Sequence, residues 1–181
     1  MTAFNHRFDP TSLREYDIRG IVGQTLHPED AYAIGRCFGS IVSRGAGRKV
    51  AVGYDGRLSS PEMEAQLVAG LRACGLDVLR IGCGPTPMLY YAAHALSADG
   101  AIMVTGSHNP PNYNGFKMML GRKPFFGAQI QQIGQMAAEG DVVPSAVGTD
   151  QQIDITDEYV ARVLKDWDGG DASGKAGGIK V

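Results

Sequence analysis

The sequence predicts an α/β fold in which helices cover a mixed, largely parallel β-sheet. Short runs of β-branched and apolar residues alternate along the chain with longer segments whose apolar residues recur at helical spacing. Such alternation is typical of strands joined by crossover helices, which produce parallel strand pairs. The chain has 181 residues, of which 25 are glycine, about twice the usual share. We therefore expect many tight turns between the elements.

The first part of the chain contains two predicted helices on either side of one predicted strand. Residues 28–43 are predicted to form a helix, because Pro28 lies in its first turn and its apolar residues share one face. That face consists of Ala31, Ile34, Phe38, Ile41 and Val42. The strand covers 49–54, and a second helix begins at 59–61 and ends near Gly75. Its apolar stripe consists of Met63, Leu67, Leu71 and Cys74.

The alternation continues through the second part of the chain. Strands are predicted at 77–81, 100–105 and 115–120, and a helix at 88–96 follows the turn GCGPTP. A short helix is indicated by Ile130, Ile133 and Ala137. Residues 155–167 are predicted to form a last helix, because apolar residues again recur at helical spacing.

A loose stretch at 139–152 is the predicted domain boundary. We assign residues 1–150 to one N-terminal α/β domain and residues 151–181 to the truncated start of a second, similar domain. The second segment is expected to contain a helix, a glycine-rich loop and a first strand. The alternative is a short protein with a disordered tail.

Composition and charge exclude several classes of protein. The 17 basic and 19 acidic side chains give a formal net charge of -2, which argues against binding to nucleic acid or to a membrane surface. No apolar run approaches the length of a membrane span, and the polar N-terminus lacks the pattern of a signal peptide. The three cysteines have unrelated spacings, unlike a disulfide framework or a zinc site. We therefore expect a cytoplasmic protein.

Residues 104–115, VTGSHNPPNYNG, are the most informative segment because they follow a predicted strand. Crevices at the carboxyl ends of such strands are where α/β sheets place ligands. Gly106 is expected to make the sharp turn, while the two adjacent prolines stiffen the loop around Ser107. A serine held in this way suits covalent catalysis, with His108 beside it and Lys117 on the next predicted strand.

Four segments, in order along the chain, resemble the α-D-phosphohexomutases, and specifically their phosphomannomutase/phosphoglucomutase group. They are EYDIRG at 15–20, VGYDGRLSSP at 52–61, GPTP at 84–87 and TGSHNPPNYNGFK at 105–117. The last of them is similar to the phosphoserine loop of the family. Phosphoglucosamine mutases usually have alanine where Gly106 stands, so the TGSHNP form favours the dual mannose and glucose group.

The resemblance implies roles for five residues. Ser107 would be the phosphorylated serine, and it would contact the metal ion through its phosphate. His108 and Lys117 would assist proton transfer and offset charge around the transferring group; which of them is the acid and which the base is left open. Tyr16 and Arg19 would bind the substrate from the N-terminal loop.

Other residues of the matching segments are expected to be architectural. Arg57 is expected to pair with Asp55 and to hold its loop in place. Ser59 and Ser60, in the same segment, are interpreted in the same way. The GPTP turn is expected to be a scaffold, because its prolines fix the backbone without supplying an acid, a base or a nucleophile.

The resemblance also implies an activity, that of an isomerase. The full protein would move a phosphoryl group reversibly between the 1- and 6-positions of mannose or glucose phosphate, through the phosphoserine and a hexose 1,6-bisphosphate. Mg²⁺ would be the cofactor and the bisphosphate the activator. The aspartate loop DGDxDR of the family is not present in residues 1–181. The expected partners are therefore hexose phosphates and the remaining domains of the same polypeptide, and the chain alone is expected to be inactive.

Three alternatives accompany this interpretation. A phosphoglucosamine mutase would use the same chemistry on a different sugar. A phosphosugar-binding module would keep the serine loop and lack catalysis. A serine hydrolase is disfavoured, because its G-x-S-x-G turn is not matched: Asn109 stands where the second glycine belongs.

Overall fold

The computed structural model describes residues 4–166, which contain five α-helices and seven β-strands. The helices are α1 (Pro28–Arg44), α2 (Ser60–Arg72), α3 (Thr86–Ala95), α4 (Ala128–Glu139) and α5 (Thr156–Asp166). The strands are β1 (Ile18–Ile21), β2 (Lys49–Tyr54), β3 (Asp77–Cys83), β4 (Gly100–Val104), β5 (Tyr113–Leu120), β6 (Lys123–Phe125) and β7 (Asp150–Gln152). All the helices and strands predicted within this range are present, and β1, β6 and β7 are additions that the sequence analysis did not predict.

All seven strands belong to one sheet. Six of them follow the order β1-β5-β4-β2-β3-β7, and β6 pairs with the end of β5 that β1 does not reach. The pairs β2–β3, β2–β4 and β3–β7 are parallel, whereas β5 is antiparallel to β4, β1 and β6. Of the strands in the described residues, β5 alone therefore runs opposite to the other six. The prediction of a mixed, largely parallel sheet is confirmed.

The helices cover both faces of the sheet because the connections reverse direction at β3. The chain moves from β2 to the neighbouring β3 through α2, and then crosses back over β2 to β4 through α3. Since parallel crossovers are right-handed, a reversal of direction places the next helix on the opposite face. One buried cluster packs α1, α2 and α4 against the sheet. A second buried cluster packs α3 and the start of α5 against the other face.

Close contact between α1 and α2 depends on two buried glycines. A Cβ atom on Gly35 would overlap the carbonyl oxygen of Leu67, and one on Gly70 would overlap the carbonyl oxygen of Tyr32. A Cβ on Gly70 would also lie only 3.0 Å from the Cα of Gly35. Because these obstacles are backbone atoms, they cannot rotate away as the end of a long side chain would.

We expect the substitution Gly70→Ala to destabilise the chain. Alanine favours a helix over glycine by about 1 kcal/mol, but forcing the two helices apart is expected to leave a net loss of about 1–3 kcal/mol. Urea unfolding of the chain measures this difference. Gln66→Ala, at an exposed position of the same helix, is the control and should change stability by less than about 0.5 kcal/mol. A Gly70→Ala protein as stable as the wild type would contradict the packing argument.

The stretch expected to be loose is attached to the sheet at its end. Asp150 forms ion pairs with Arg72 at 2.9 Å and with Arg80 at 3.3 Å. Strand β7 then pairs with β3, so it crosses the predicted boundary between residues 150 and 151. The division into two domains stays a prediction, and the expected glycine-rich loop and last strand lie outside the described residues. Within residues 4–166, no helix is long and apolar enough to cross a membrane.

Candidate active site

The serine loop, residues 105–112, connects the carboxyl end of β4 to the start of β5. Ser107 is exposed at the tip of this loop, and its backbone N–H donates a hydrogen bond of 2.9 Å to Oγ1 of Thr105. Its φ of 54° lies in the left-handed region, which non-glycine residues seldom adopt outside constrained turns. The loop therefore holds the Ser107 side chain in a defined position facing solvent.

Gly106 begins the turn, since its carbonyl accepts a hydrogen bond of 3.1 Å from the N–H of Asn109, but the positive φ within the turn belongs to Ser107. Gly106 has a second role, which is to leave room for a neighbouring side chain. A Cβ atom at this position would overlap the guanidinium of Arg57, with Nη1 only 2.8 Å away. The absence of a side chain at Gly106 lets this guanidinium lie directly against the loop.

Arg57 holds the serine loop through its guanidinium, whose donors converge on backbone carbonyl oxygens. It comes from the loop after β2, and its side chain is only 15% exposed. The acceptors are the carbonyls of Ser107 at 3.1 Å, Asn109 at 2.7 Å, Pro110 at 2.6 Å and Tyr113 at 3.0 Å. Nε also donates to Asp55 at 3.2 Å. The predicted pairing of Arg57 with Asp55 is confirmed, and the arginine braces a segment about fifty residues later in the chain.

Asp55 completes the brace by accepting hydrogen bonds from both loops. Ser60 Oγ donates at 2.6 Å and the Arg57 N–H at 3.1 Å, while Thr105 Oγ1 donates at 2.9 Å and the Gly106 N–H at 3.0 Å. Burial of the carboxylate opposes its ionisation, but these hydrogen bonds outweigh burial and hold the pKa of Asp55 below its ordinary value. The carboxylate is thus the charged acceptor that joins the ends of β2 and β4.

The lowered pKa predicts how stability depends on pH. A carboxylate whose pKa is depressed in the folded state stabilises the fold above its unfolded pKa, which is ordinarily 3.8, and this stability is lost as the pH falls through the folded-state value. We therefore expect the difference in unfolding free energy between wild type and Asp55→Asn to be largest near neutral pH. It should shrink below pH 3.8, as urea titrations between pH 6 and pH 3 would show. A difference independent of pH would contradict the assignment.

A second group of charged residues lies on β1, β5 and the segment before β1. Asp17 is buried and forms ion pairs with Arg19 and with Lys117, the latter at 3.2 Å. Arg19 lies opposite Gly115 in the pairing of β1 with β5. Because Ile18 and Phe116 belong to the cluster beneath α1 and α2, the alternation of side chains directs Arg19 and Lys117 to the other face.

The predicted site residues thus form two groups at one edge of the sheet. Ser107 Oγ lies 3.4 Å from His108 Nδ1, and Arg19 and Lys117 are joined through Asp17. The N–H of Thr105 donates to the carbonyl of Gly115 at 2.8 Å, which places the serine loop beside the strand that carries Lys117. No hydrogen bond or ion pair between the side chains of the two groups is found in residues 4–166.

Tyr16 lies beside the second group. The residue is 73% exposed, and its ring stacks on that of Phe126, with ring centroids 6.2 Å apart. These two rings, together with Tyr90 and Lys117, border an open depression of about 270 Å³. One wall of the depression is therefore aromatic. In the sequence, the predicted substrate residues Tyr16 and Arg19 flank Asp17.

Asp17 is a site residue that was not predicted from the sequence. It lies inside the segment EYDIRG, between two residues that were selected, so its position in that motif was the available signal. Its contact with Lys117 spans 100 residues and follows only from the pairing of β1 with β5.

A metal site is not complete in this part of the protein. No group of three or more His, Cys, Asp or Glu side chains able to hold a metal ion is found among the described residues. Ser107 is exposed, as a residue that meets a metal through a phosphate must be, but it cannot hold Mg²⁺ without further ligands. The described residues therefore do not fit Mg²⁺ by themselves.

Comparison with known proteins adds three findings. The model of the family "Phosphoglucomutase/phosphomannomutase, alpha/beta/alpha domain I" matches residues 10–142. A phosphomannomutase/phosphoglucomutase of Pseudomonas aeruginosa is 46% identical over 158 residues, which are 87% of this chain and 34% of that protein. A crystal structure of a phosphoglucomutase/phosphomannomutase family protein of Burkholderia thailandensis superposes with a TM-score of 0.83 at 42% identity, covering 88% of this chain and 36% of that one. The chain thus spans about a third of the length of these relatives.

Proposed function

The chain belongs to the phosphoglucomutase/phosphomannomutase family, and from this premise we propose that it carries the phosphoryl-bearing serine of a hexose-phosphate mutase. The full-length protein would interconvert the 1- and 6-phosphates of mannose or glucose. The single observation that carries the proposal is Ser107, exposed at positive φ on a loop that Arg57 braces at the carboxyl end of β4. A positioned, accessible hydroxyl in that place is what a covalent phosphoryl carrier requires.

The proposed reaction has two transfers that balance each other. In the first, the bond between phosphorus and Oγ of phospho-Ser107 breaks, and a bond forms to the free hydroxyl of the hexose monophosphate. That hydroxyl loses its proton and Oγ of Ser107 gains one, leaving a hexose 1,6-bisphosphate. In the second, the bisphosphate returns its other phosphoryl group to Ser107, and the positional isomer leaves. Catalysis of this kind depends on positioning and on neutralising charge.

The side chains of the site support a division of these tasks. His108 Nδ1 lies 3.4 Å from Ser107 Oγ, close enough to exchange a proton with it after a small adjustment. Lys117 and Arg19 carry the positive charges that would meet phosphate oxygens. Tyr16 would contact the sugar from the rim of the depression described above.

Further parts of the proposal rest on the resemblance. Mg²⁺ and a hexose 1,6-bisphosphate activator are included, with the remaining metal ligands and sugar contacts supplied by further domains of the polypeptide. The cytoplasm is the proposed compartment, in agreement with the free thiols of Cys37, Cys74 and Cys83.

Mass spectrometry of the peptide that contains Ser107 tests the proposal. It should be isolated from the full-length protein before and after addition of a hexose 1,6-bisphosphate, in parallel with an assay of mannose 1-phosphate and glucose 1-phosphate turnover. We expect phosphate on Ser107 and turnover of at least one sugar phosphate. An unmodified serine under both conditions, without turnover, would refute the proposed mechanism.

A further inference from the structure

Asp17 is a buried carboxylate shared by two cations. The residue is 5% exposed, and its Oδ2 atom accepts hydrogen bonds both from Nη2 of Arg19 and from Nζ of Lys117, the latter at 3.2 Å. Arg19 is itself 9% exposed. A single side chain thus contacts both residues to which the proposed function assigns the positive charge of the site.

The charges in this group do not cancel. One carboxylate faces one guanidinium and one ammonium, so the group carries a net charge of about +1. In addition, Nε of Arg19 is buried and has no hydrogen-bond partner in the part of the chain that the structure describes. Buried donors are normally paired, so this group is unbalanced in both charge and hydrogen bonding, in the direction that an anion would correct.

The ion pairs are not needed to join the strands that carry them. Strands β1 and β5 already pair through their backbones over four residue positions. Buried ion pairs are also weak sources of stability, because removing two charges from water offsets much of their attraction. Asp17 therefore calls for an explanation in terms of where it places Lys117 and Arg19.

We propose that Asp17 is a positioning residue of the mutase site, which holds Lys117 and Arg19 beside each other and limits the positive charge that the substrate phosphate meets. The proposal rests on the proposed function. Asp17 touches neither substrate nor reacting atoms; it acts through the two cations. Without its carboxylate, the group would carry a net charge of about +2. Repulsion between the ammonium of Lys117 and the guanidinium of Arg19 would then move these two side chains apart.

The test is the substitution Asp17→Asn in the full-length protein, which removes the charge and keeps the shape. We expect kcat to fall by about 10- to 100-fold, because the two cations lose their fixed geometry. We also expect KM for the hexose phosphate to fall, because the extra positive charge strengthens binding of the ground state. A merely structural defect would lower kcat and raise KM together. A fall in kcat accompanied by a fall in KM therefore identifies the positioning role.

Two further variants complete the design. Asp141→Asn removes the carboxylate of the exposed ion pair with Arg44 and should leave kcat and KM unchanged. Asp17→Glu keeps the charge but moves it by one methylene, so we expect an intermediate kcat and an unchanged KM. The Glu variant decides the question if Asp17→Asn does not fold.

The outcomes are distinguishable. Wild-type kcat and KM in Asp17→Asn, or wild-type kcat in Asp17→Glu when the Asn variant is unfolded, would overturn the positioning role. A kcat that falls together with a rising KM would do so as well. If the wild-type full-length protein turns over no hexose phosphate, the proposed function itself is wrong, and the result says nothing against Asp17 in particular.

Discussion

The full-length Ser107→Ala protein should lose mutase activity almost completely, by at least about 10⁴-fold in kcat. No covalent phosphoryl carrier can form without the hydroxyl, and loss of a catalytic nucleophile has effects of this size or larger. The fold should persist, because Ser107 is exposed and, within residues 4–166, its hydroxyl has a hydrogen bond only with His108. A coupled assay and an intact-mass measurement after addition of hexose 1,6-bisphosphate would record both the lost turnover and the lost phosphate.

The chain offers a closely matched control for this substitution. Ser97 is also exposed and also has a positive φ, of 52°, but it follows α3 at the opposite end of the sheet. Ser97→Ala should therefore carry any general effect of alanine at a left-handed position and keep full activity. Appreciable turnover by Ser107→Ala would show that another group receives the phosphoryl, and the proposed mechanism would be wrong.

The second large effect is expected from Arg57→Lys, which keeps the charge and removes the planar fork of donors. The guanidinium reaches four carbonyl oxygens and Asp55 at once, whereas an ammonium can reach few of these acceptors. We expect the unfolding free energy to fall by about 2–3 kcal/mol, since hydrogen bonds with a charged partner contribute more than neutral ones. We also expect kcat to fall by about 10²-fold, because the serine is no longer held in position.

Three measurements would check the Arg57 prediction. Urea unfolding gives the change in stability, steady-state kinetics of the full-length protein gives kcat, and amide hydrogen exchange reports opening of the serine loop. Arg44→Lys is the control, since Arg44 pairs with Asp141 on the exposed surface and should contribute less than about 1 kcal/mol. If the amide hydrogens of the serine loop exchanged at the same rate in Arg57→Lys as in the wild type, the bracing role of Arg57 would be contradicted.

A helix or strand can be predicted from the sequence when its apolar residues recur at the spacing typical of that element. Helices α1 to α4 and the strands β2, β3, β4 and β5 contain buried apolar residues, and the sequence predicts them. Helix α5 is predicted from the helical spacing of its apolar residues, although its described side chains are exposed apart from the half-buried Tyr159. Strand β7 consists of Asp150, Gln151 and Gln152, all exposed, so no hydrophobic period marks it. It forms because its backbone pairs with β3. This contact joins segments more than sixty residues apart, so the local sequence does not indicate it.

The site shows the same division. Ser107, His108 and Lys117 were predicted from the loop that follows a strand and from the resemblance to the family, and Tyr16 and Arg19 from the resemblance alone. The structure places all five at one edge of the sheet. The φ of Ser107 and the space that Gly106 leaves for Arg57 were not predictable, because both result from contacts between β2 and β4 loops distant in sequence. Asp17 could have been selected from its place in the segment EYDIRG, but its contact with Lys117 could not be predicted, because it depends on the pairing of β1 with β5.

Strand β7 has a consequence for where this α/β unit can be truncated. The match to the family model stops at residue 142, before this strand, so a chain divided at that point would leave the outer edge of β3 with unpaired backbone donors and acceptors. Open edges of this kind recruit other strands and promote aggregation. Strand β7 covers this edge of β3, and as a strand of only three exposed polar residues, held by Asp150 on Arg72 and Arg80, it is the short, polar kind of edge that discourages pairing with other chains.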